Sequence, residues 1–193
     1  MNKVLFLFFF YPLAIISQNK YNHNEIKLNN DSNLVVLKSN DELITGVVYQ
    51  SIIDNIYTYH ETTYLNGKET SCIGYFKNGK IHHYNNKGDF KFFYINSKLK
   101  DEGKMISGKK EGEWKSYYKS GKLKEKGKYI QGKGDGLWEG YYSKGGELYW
   151  KGYYKDGFLD GIIKYYRKNG IVKEEGNYKY GEKDGVWKIY HRN

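Results

Sequence analysis

The chain has almost no cysteine, proline or alanine. Cys72 is the single cysteine and Pro12 the single proline in 193 residues. One cysteine excludes an intrachain disulfide and a cysteine-based metal cluster. Beyond the first twenty residues there is no long apolar run, and no stretch of the repeat region has a 3.6-residue apolar period over a useful length, so no helix is expected there. Mean hydropathy is low at −0.83, yet 18% of residues are aromatic. Disordered chains lack aromatics, so these rings must be what is packed. Gly-x-Ser-x-Gly nucleophile elbows are absent as well.

What is abundant is glycine, with 23 residues, and tyrosine, with 22. Both recur in register. From Gly46 onward the chain repeats one phrase six times: glycine, an aromatic strand, a turn, a second strand, glycine. The clearest copies begin at Gly103, Gly127, Gly152 and Gly176, with leading glycines 24, 25 and 24 residues apart; the one-residue insert is Gly146. Each runs on to a second strand, as in Gly136-Leu-Trp138-Glu-Gly-Tyr141-Tyr142. Two earlier copies are worn by insertions, one between Gly46 and Gly67 and one between Gly79 and Gly88 that contains His82-His83. A period of this length means small units stacked side by side.

The alternation of a strand puts Trp114, Ser116 and Tyr118 on one face and Lys115 and Tyr117 on the other. Stacked hairpins then make ladders of Trp114/Trp138/Trp187, of Tyr117/Tyr141/Tyr166/Tyr190 and of Phe76/Tyr129/Tyr154/Tyr178. The tryptophans are expected to form the thin core. Asn78-Gly79, Asp156-Gly157, Asp160-Gly161, Asn169-Gly170 and Asp184-Gly185 are expected to mark tight turns. The expected organisation is a signal peptide over 1–17, a polar linker with an edge strand over 18–42, degenerate repeats over 43–97 and four regular repeats over 98–193.

The phrase Gly-Tyr-Tyr-Lys-Asp-Gly…Asp-Gly…Tyr-Tyr-Arg-Lys-Asn-Gly over 152–170, with Thr45-Gly-Val-Val-Tyr49 before it, resembles the MORN repeat, and in particular its bacterial variant described as a toxin–antitoxin antitoxin protein. The resemblance covers about 43–193. It implies an all-β fold, an elongated single-layer array of stacked antiparallel hairpins with a groove, and protein or lipid contact without chemistry.

The start of the chain points outside the cytoplasm. Met1-Asn2-Lys3 precedes an apolar run from Val4 to Ile16, and Ser17-Gln18-Asn19-Lys20 turns polar, the layout of a secretory signal peptide. The run is shorter than the roughly 20 residues a spanning helix needs. Cleavage near Ser17-Gln18 and a secreted, periplasmic or cell-envelope location are expected; an uncleaved signal anchor is the alternative.

Site chemistry is sparse. Gly103-Lys-Met-Ile-Ser-Gly108-Lys109-Lys110 begins like a phosphate-binding loop but ends in Lys where Ser or Thr should hold magnesium, and the same glycine spacing recurs in other copies. On a regular strand His82 and His83 point to opposite faces and cannot share a metal; in the inserted loop that objection weakens, yet no acidic partner sits at ligand spacing. Glu111, Asp135, Asp160 and Asp184 recur in one slot, as turn geometry demands, so acid–base catalysis is not expected. No enzyme activity, cofactor or metal follows. A net charge of +10 favours anionic partners, although interspersed lysines also solvate sheet faces and discourage edge aggregation. The candidate binding face is Tyr117, Tyr141, Tyr166 and Tyr190 with Lys115, Lys164 and Lys188. A protein partner is expected first, with a glycan or cell-wall polymer and anionic lipid headgroups as alternatives; nucleic acid is not expected.

Overall fold

The computed structural model describes residues 19–22, 26–29, 34–37, 46–51, 57–66 and 68–191. The expected signal peptide over 1–17 lies outside them. Every described element is a strand: β1 (Asn19–Asn22), β2 (Ile26–Asn29), β3 (Leu34–Leu37), β4 (Gly46–Ser51), β5 (Tyr57–Leu65), β6 (Lys68–Phe76), β7 (Ile81–Asn86), β8 (Asp89–Phe93), β9 (Leu99–Ile106), β10 (Lys109–Tyr117), β11 (Leu123–Ile130), β12 (Lys133–Tyr141), β13 (Leu148–Lys155), β14 (Phe158–Tyr166), β15 (Val172–Lys179) and β16 (Glu182–Ile189). The fold is all-β, an open single-layer array of antiparallel hairpins. β4 to β16 follow one another in sheet order as they do in sequence, and β1 joins β4 in parallel at the edge. The edge strand from the polar segment is therefore Asn19–Asn22. The more apolar Leu34–Leu37 pairs instead with β2 in a separate hairpin.

Each regular hairpin closes through a two-residue turn with both residues at positive φ, as at Asp156-Gly157 (51° and 91°). That twist matches the twist of the flanking strands. The acid–glycine pairs behave differently from expectation. Glu111-Gly112, Asp135-Gly136, Asp160-Gly161 and Asp184-Gly185 are not tight turns; each lies within a strand, where the register slips. Gly136, at φ 70°, supplies the left-handed residue of such a bulge. At two of the four the acid serves the neighbouring hairpin: Glu111 accepts the backbone N–H of Gln131 at 2.8 Å and Asp160 that of Tyr180 at 3.3 Å. Both donors sit in the next tight turn.

The core is a row across the sheet in which bulk and glycine alternate: Phe90, Gly103, Trp114, Gly127, Trp138, Gly152, Ile163, Gly176, Trp187. From Trp114 onward each large side chain lies on the bare backbone of the preceding strand, whereas Phe90 has Asn85 opposite it there. A Cβ on Gly103, Gly127 or Gly176 would fall 2.4, 2.1 or 2.3 Å from the Cδ2 of Trp114, Trp138 or Trp187. This close approach explains why the leading glycine recurs. With no second layer to cover them, Trp114 is still only 3% exposed and Trp138 8%. Their indoles donate to the carbonyls of Lys104 and Lys128. Tyr129 wedges edge-on against Trp138 at 5.1 Å, and Lys110 lies over Trp114 at 4.2 Å. The tryptophan ladder is the core, as the alternation implies.

Candidate functional site

The face opposite the tryptophans is built from one row and its two flanks. In register across β8 to β16 the row reads Lys91, Glu102, Lys115, Lys126, Glu139, Lys151, Lys164, Glu175, Lys188. Every glutamate has a lysine on either side, and between these triplets two lysines face each other, Lys115 with Lys126 and Lys151 with Lys164. Directly opposed like charges cost the sheet stability. The row is net positive, and a partner that brings carboxylates would relieve it.

The expected tyrosines line one flank of this row. Tyr117 donates its hydroxyl to Glu102 at 2.6 Å, Tyr141 to Glu139 at 2.8 Å and Tyr190 to Glu175 at 2.9 Å. Lys164 and Lys188 converge on Glu175, at 2.7 and 4.0 Å, and Lys126 meets Glu139 at 2.9 Å. The hydrogen bond from Lys126 holds the Glu139 carboxyl below the ordinary carboxylate range, and Lys164 followed by Tyr190 does the same for Glu175. Burial, with the hydrogen bond to Glu102 second, pushes Tyr117 up to about 12. Tyr166 differs from its ladder mates in lying beneath Lys151, whose ammonium is 6.0 Å from the ring. The structure thus brings together Tyr117 with Lys115 and Tyr166 and Tyr190 with Lys164 and Lys188, on one face and in one row of partners.

The other flank was not visible as a site in the sequence. Leu137 faces Tyr153 on this face, and Ile162 and Val186 stand on either side of Asn177, the four apolar or aromatic side chains all exposed, Ile162 at 57% and Val186 at 87%. Ile162 and Val186 wall a shallow cleft floored by Gly176 and Asn177 and rimmed by Lys164, Glu175 and Lys188. The slot just before the tryptophan position carries this signal: it is charged at Glu113 and apolar at Leu137, Ile162 and Val186. In the first regular hairpin Glu113 faces Lys128 instead.

The residue that follows each strand-ending aromatic at Phe93, Tyr117 and Tyr141 has a separate task. Tyr94, Tyr118 and Tyr142 each donate to the backbone carbonyl of the next ladder tyrosine, Tyr117, Tyr141 and Tyr166, all at 2.7 Å. Arg167 takes the same place and reaches the Tyr190 carbonyl. These bonds staple each repeat to its successor, so Tyr117, Tyr141 and Tyr190 are set at both the backbone and the hydroxyl.

The histidine pair departs from expectation. His82 and His83 both lie in β7, but the register slips between Gly74 and Tyr75, opposite His82. The slip turns His82 toward its neighbour, and the two Nδ1 atoms stand 3.0 Å apart. His83 rests on Gly74 as Trp138 rests on Gly127. Burial first, then the His60 and His82 rings, push His83 down to about 4.

No family model and no curated protein matches the chain. Among solved structures it is similar to TarM, at 12% identity over 70% of this chain and 21% of that one, with a TM-score of 0.22. A likeness at that score carries no argument about either fold or activity.

Proposed function

We propose that this protein is a non-catalytic scaffold of MORN-type repeats, working outside the cytoplasm, that binds a protein partner on its tyrosine–lysine face. The carrying observation is the set of exposed side chains Leu137, Tyr153, Ile162 and Val186, broken at β15 by Asn177, lying directly beside the net-positive lysine row. Apolar contact area edged by charge and tyrosine is the anatomy of a protein interface, and exposed apolar rows on a folded sheet call for a covering partner. The opposed lysines favour a partner surface that is itself acidic. The tryptophan face is already committed to the fold, so a partner there would compete with the core.

The test is affinity capture from envelope extract with the full-length chain and with the double variant Ile162→Glu plus Val186→Glu. Both positions point into solvent, so the variant should keep the wild-type circular dichroism spectrum and melting temperature. A protein captured by the wild type and lost by the variant supports the reading. Equal capture by both, or binding only to anionic vesicles or to wall polymers, contradicts it. Vesicle binding would weaken steeply with salt, because exposed charges are screened within about 8 Å at physiological ionic strength. Binding to wall polymers would tolerate salt and vanish with Tyr141→Ala plus Tyr166→Ala.

A further inference from the structure

Between β5 and β7 the glycine seat holds different chemistry. Gly74 on β6 lies between His60 on β5 and His83 on β7 in one cross-strand row. Cys72, two residues before Gly74, shares its face. With no side chain at Gly74, the two imidazoles close over it, centroids 4.9 Å apart and nearly perpendicular. One ligand atom each from His60, Cys72 and His83 lies within 4.8 Å of the other two. The bulge adds His82, whose Nδ1 is 3.0 Å from that of His83. The Thr62 hydroxyl donates to the Cys72 sulfur at 3.6 Å.

We propose that His60, Cys72 and His83 form a binding site for a divalent transition metal ion of the zinc class, its fourth position open to water or to His82 from beside His83. The donor set is imidazole and thiol with no carboxylate among its members, which suits zinc and its late first-row neighbours and not calcium or magnesium. Tetrahedral zinc, with bonds of about 2.0 Å to nitrogen and 2.3 Å to sulfur, places its ligand atoms about 3.3–3.6 Å apart. The ligand atoms of His60, Cys72 and His83, within 4.8 Å of one another, would close on an ion by at most about 1 Å to reach that spacing, and His82 touches the group through His83. As the metal–sulfur bond forms, the Cys72 thiol proton leaves to solvent, and no electron is transferred. A bound ion would tie β5, β6 and β7 together in the part of the sheet that has no tryptophan. Among the described residues no other three side chains of these types converge in this way.

Cobalt(II) added to the reduced full-length chain is the probe. One equivalent should bind with a thiolate-to-cobalt charge-transfer band in the near ultraviolet and the strong visible bands of a tetrahedral site, and zinc should displace it. Cys72→Ser should lose the charge-transfer band, and Thr62→Val should weaken binding by about tenfold through the lost bond to sulfur. His191→Ala should change nothing. A second measurement needs no variant: one equivalent of zinc should slow alkylation of Cys72 by about tenfold or more, since a ligated thiolate is withheld from reaction. Absence of stoichiometric cobalt binding, an unchanged spectrum in Cys72→Ser, or unprotected alkylation would each overturn the proposal.

Discussion

β5–β8 and β9–β16 share one sheet and one device, a ring laid on a bare glycine, but fill it differently. In the C-terminal part the rings are indoles on Gly103, Gly127 and Gly176, sealed by tyrosines of adjacent strands and by lysines of their own strands. In the N-terminal part the ring on Gly74 is His83, and the neighbours are His60, His82 and Cys72. The backbone geometry is conserved within the chain while the side-chain chemistry changes. A single-layer sheet can therefore build a core on one face wherever the seat is empty, and it can spend the same seat on polar groups. The outer face shows a parallel contrast. Its row is charged at Glu113 and Lys128 and mostly apolar from Leu137 onward, with Asn177 the polar member on β15, so the surface best suited to a partner lies over the best-packed half.

The largest expected effect comes from emptying an indole seat. Trp138→Ala should destabilise the chain by about 4 kcal/mol in urea unfolding, from lost burial and the cavity left behind. Phe90→Ala, in the same row but half-buried at the boundary of the two regions, should cost less. Equal losses would show that the two halves are packed alike. Filling the seat from below comes next. Gly127→Ala, whose Cβ would sit 2.1 Å from the Trp138 ring, should cost about 3 kcal/mol by overpacking. Gly152→Ala, 3.1 Å from Ile163, should cost about 1 kcal/mol, because an aliphatic chain can shift by a few tenths of an ångström. If both glycines tolerate alanine equally, the seat is not what selects them.

A smaller effect is expected from the staples. Tyr118→Phe removes the hydroxyl donated to the Tyr141 carbonyl and should cost about 1 kcal/mol. The effect should be read as a change in denaturant midpoint at constant slope. The smallest is a titration. Tyr117 is held up at about 12 by burial and then by the Glu102 carboxylate, so it should be among the last tyrosines to ionise in ultraviolet absorbance. Glu102→Gln should bring it down toward its ordinary value near 10. The sign follows: the folded value is raised, so this stabilising contribution is complete below pH 10 and is lost as pH rises through 12. No change on Glu102→Gln would mean that burial alone holds the hydroxyl.

The repeat, the all-β class and the two faces were legible because strand alternation ties Trp114, Ser116 and Tyr118 to one side and Lys115 and Tyr117 to the other. The acid–glycine pairs were misread as turns because glycine announces a positive φ and not the feature that uses it; Gly136 and Gly157 look alike in sequence, yet one bulges a strand and the other closes a hairpin. The stapling role of Tyr118 depends on register across more than twenty residues, which no local pattern encodes. His82 and His83 violate alternation because a bulge intervenes, and the slip shows only when β6 and β7 are paired. The apolar flank was hidden for a different reason: Leu137, Ile162 and Val186 look like core residues in a strand, and only the inward aim of the adjacent Trp138, Ile163 and Trp187 shows that they face solvent.

Hydroxyl-radical footprinting of the isolated chain, read residue by residue by mass spectrometry, tests the division of labour between the faces most directly. The account requires Leu137, Tyr153, Ile162 and Val186 to be oxidised readily while Trp114 and Trp138 stay protected until the chain is unfolded. Tryptophans oxidised in the folded chain as fast as Tyr153 would contradict it, because the face assigned to the core would then be the open one.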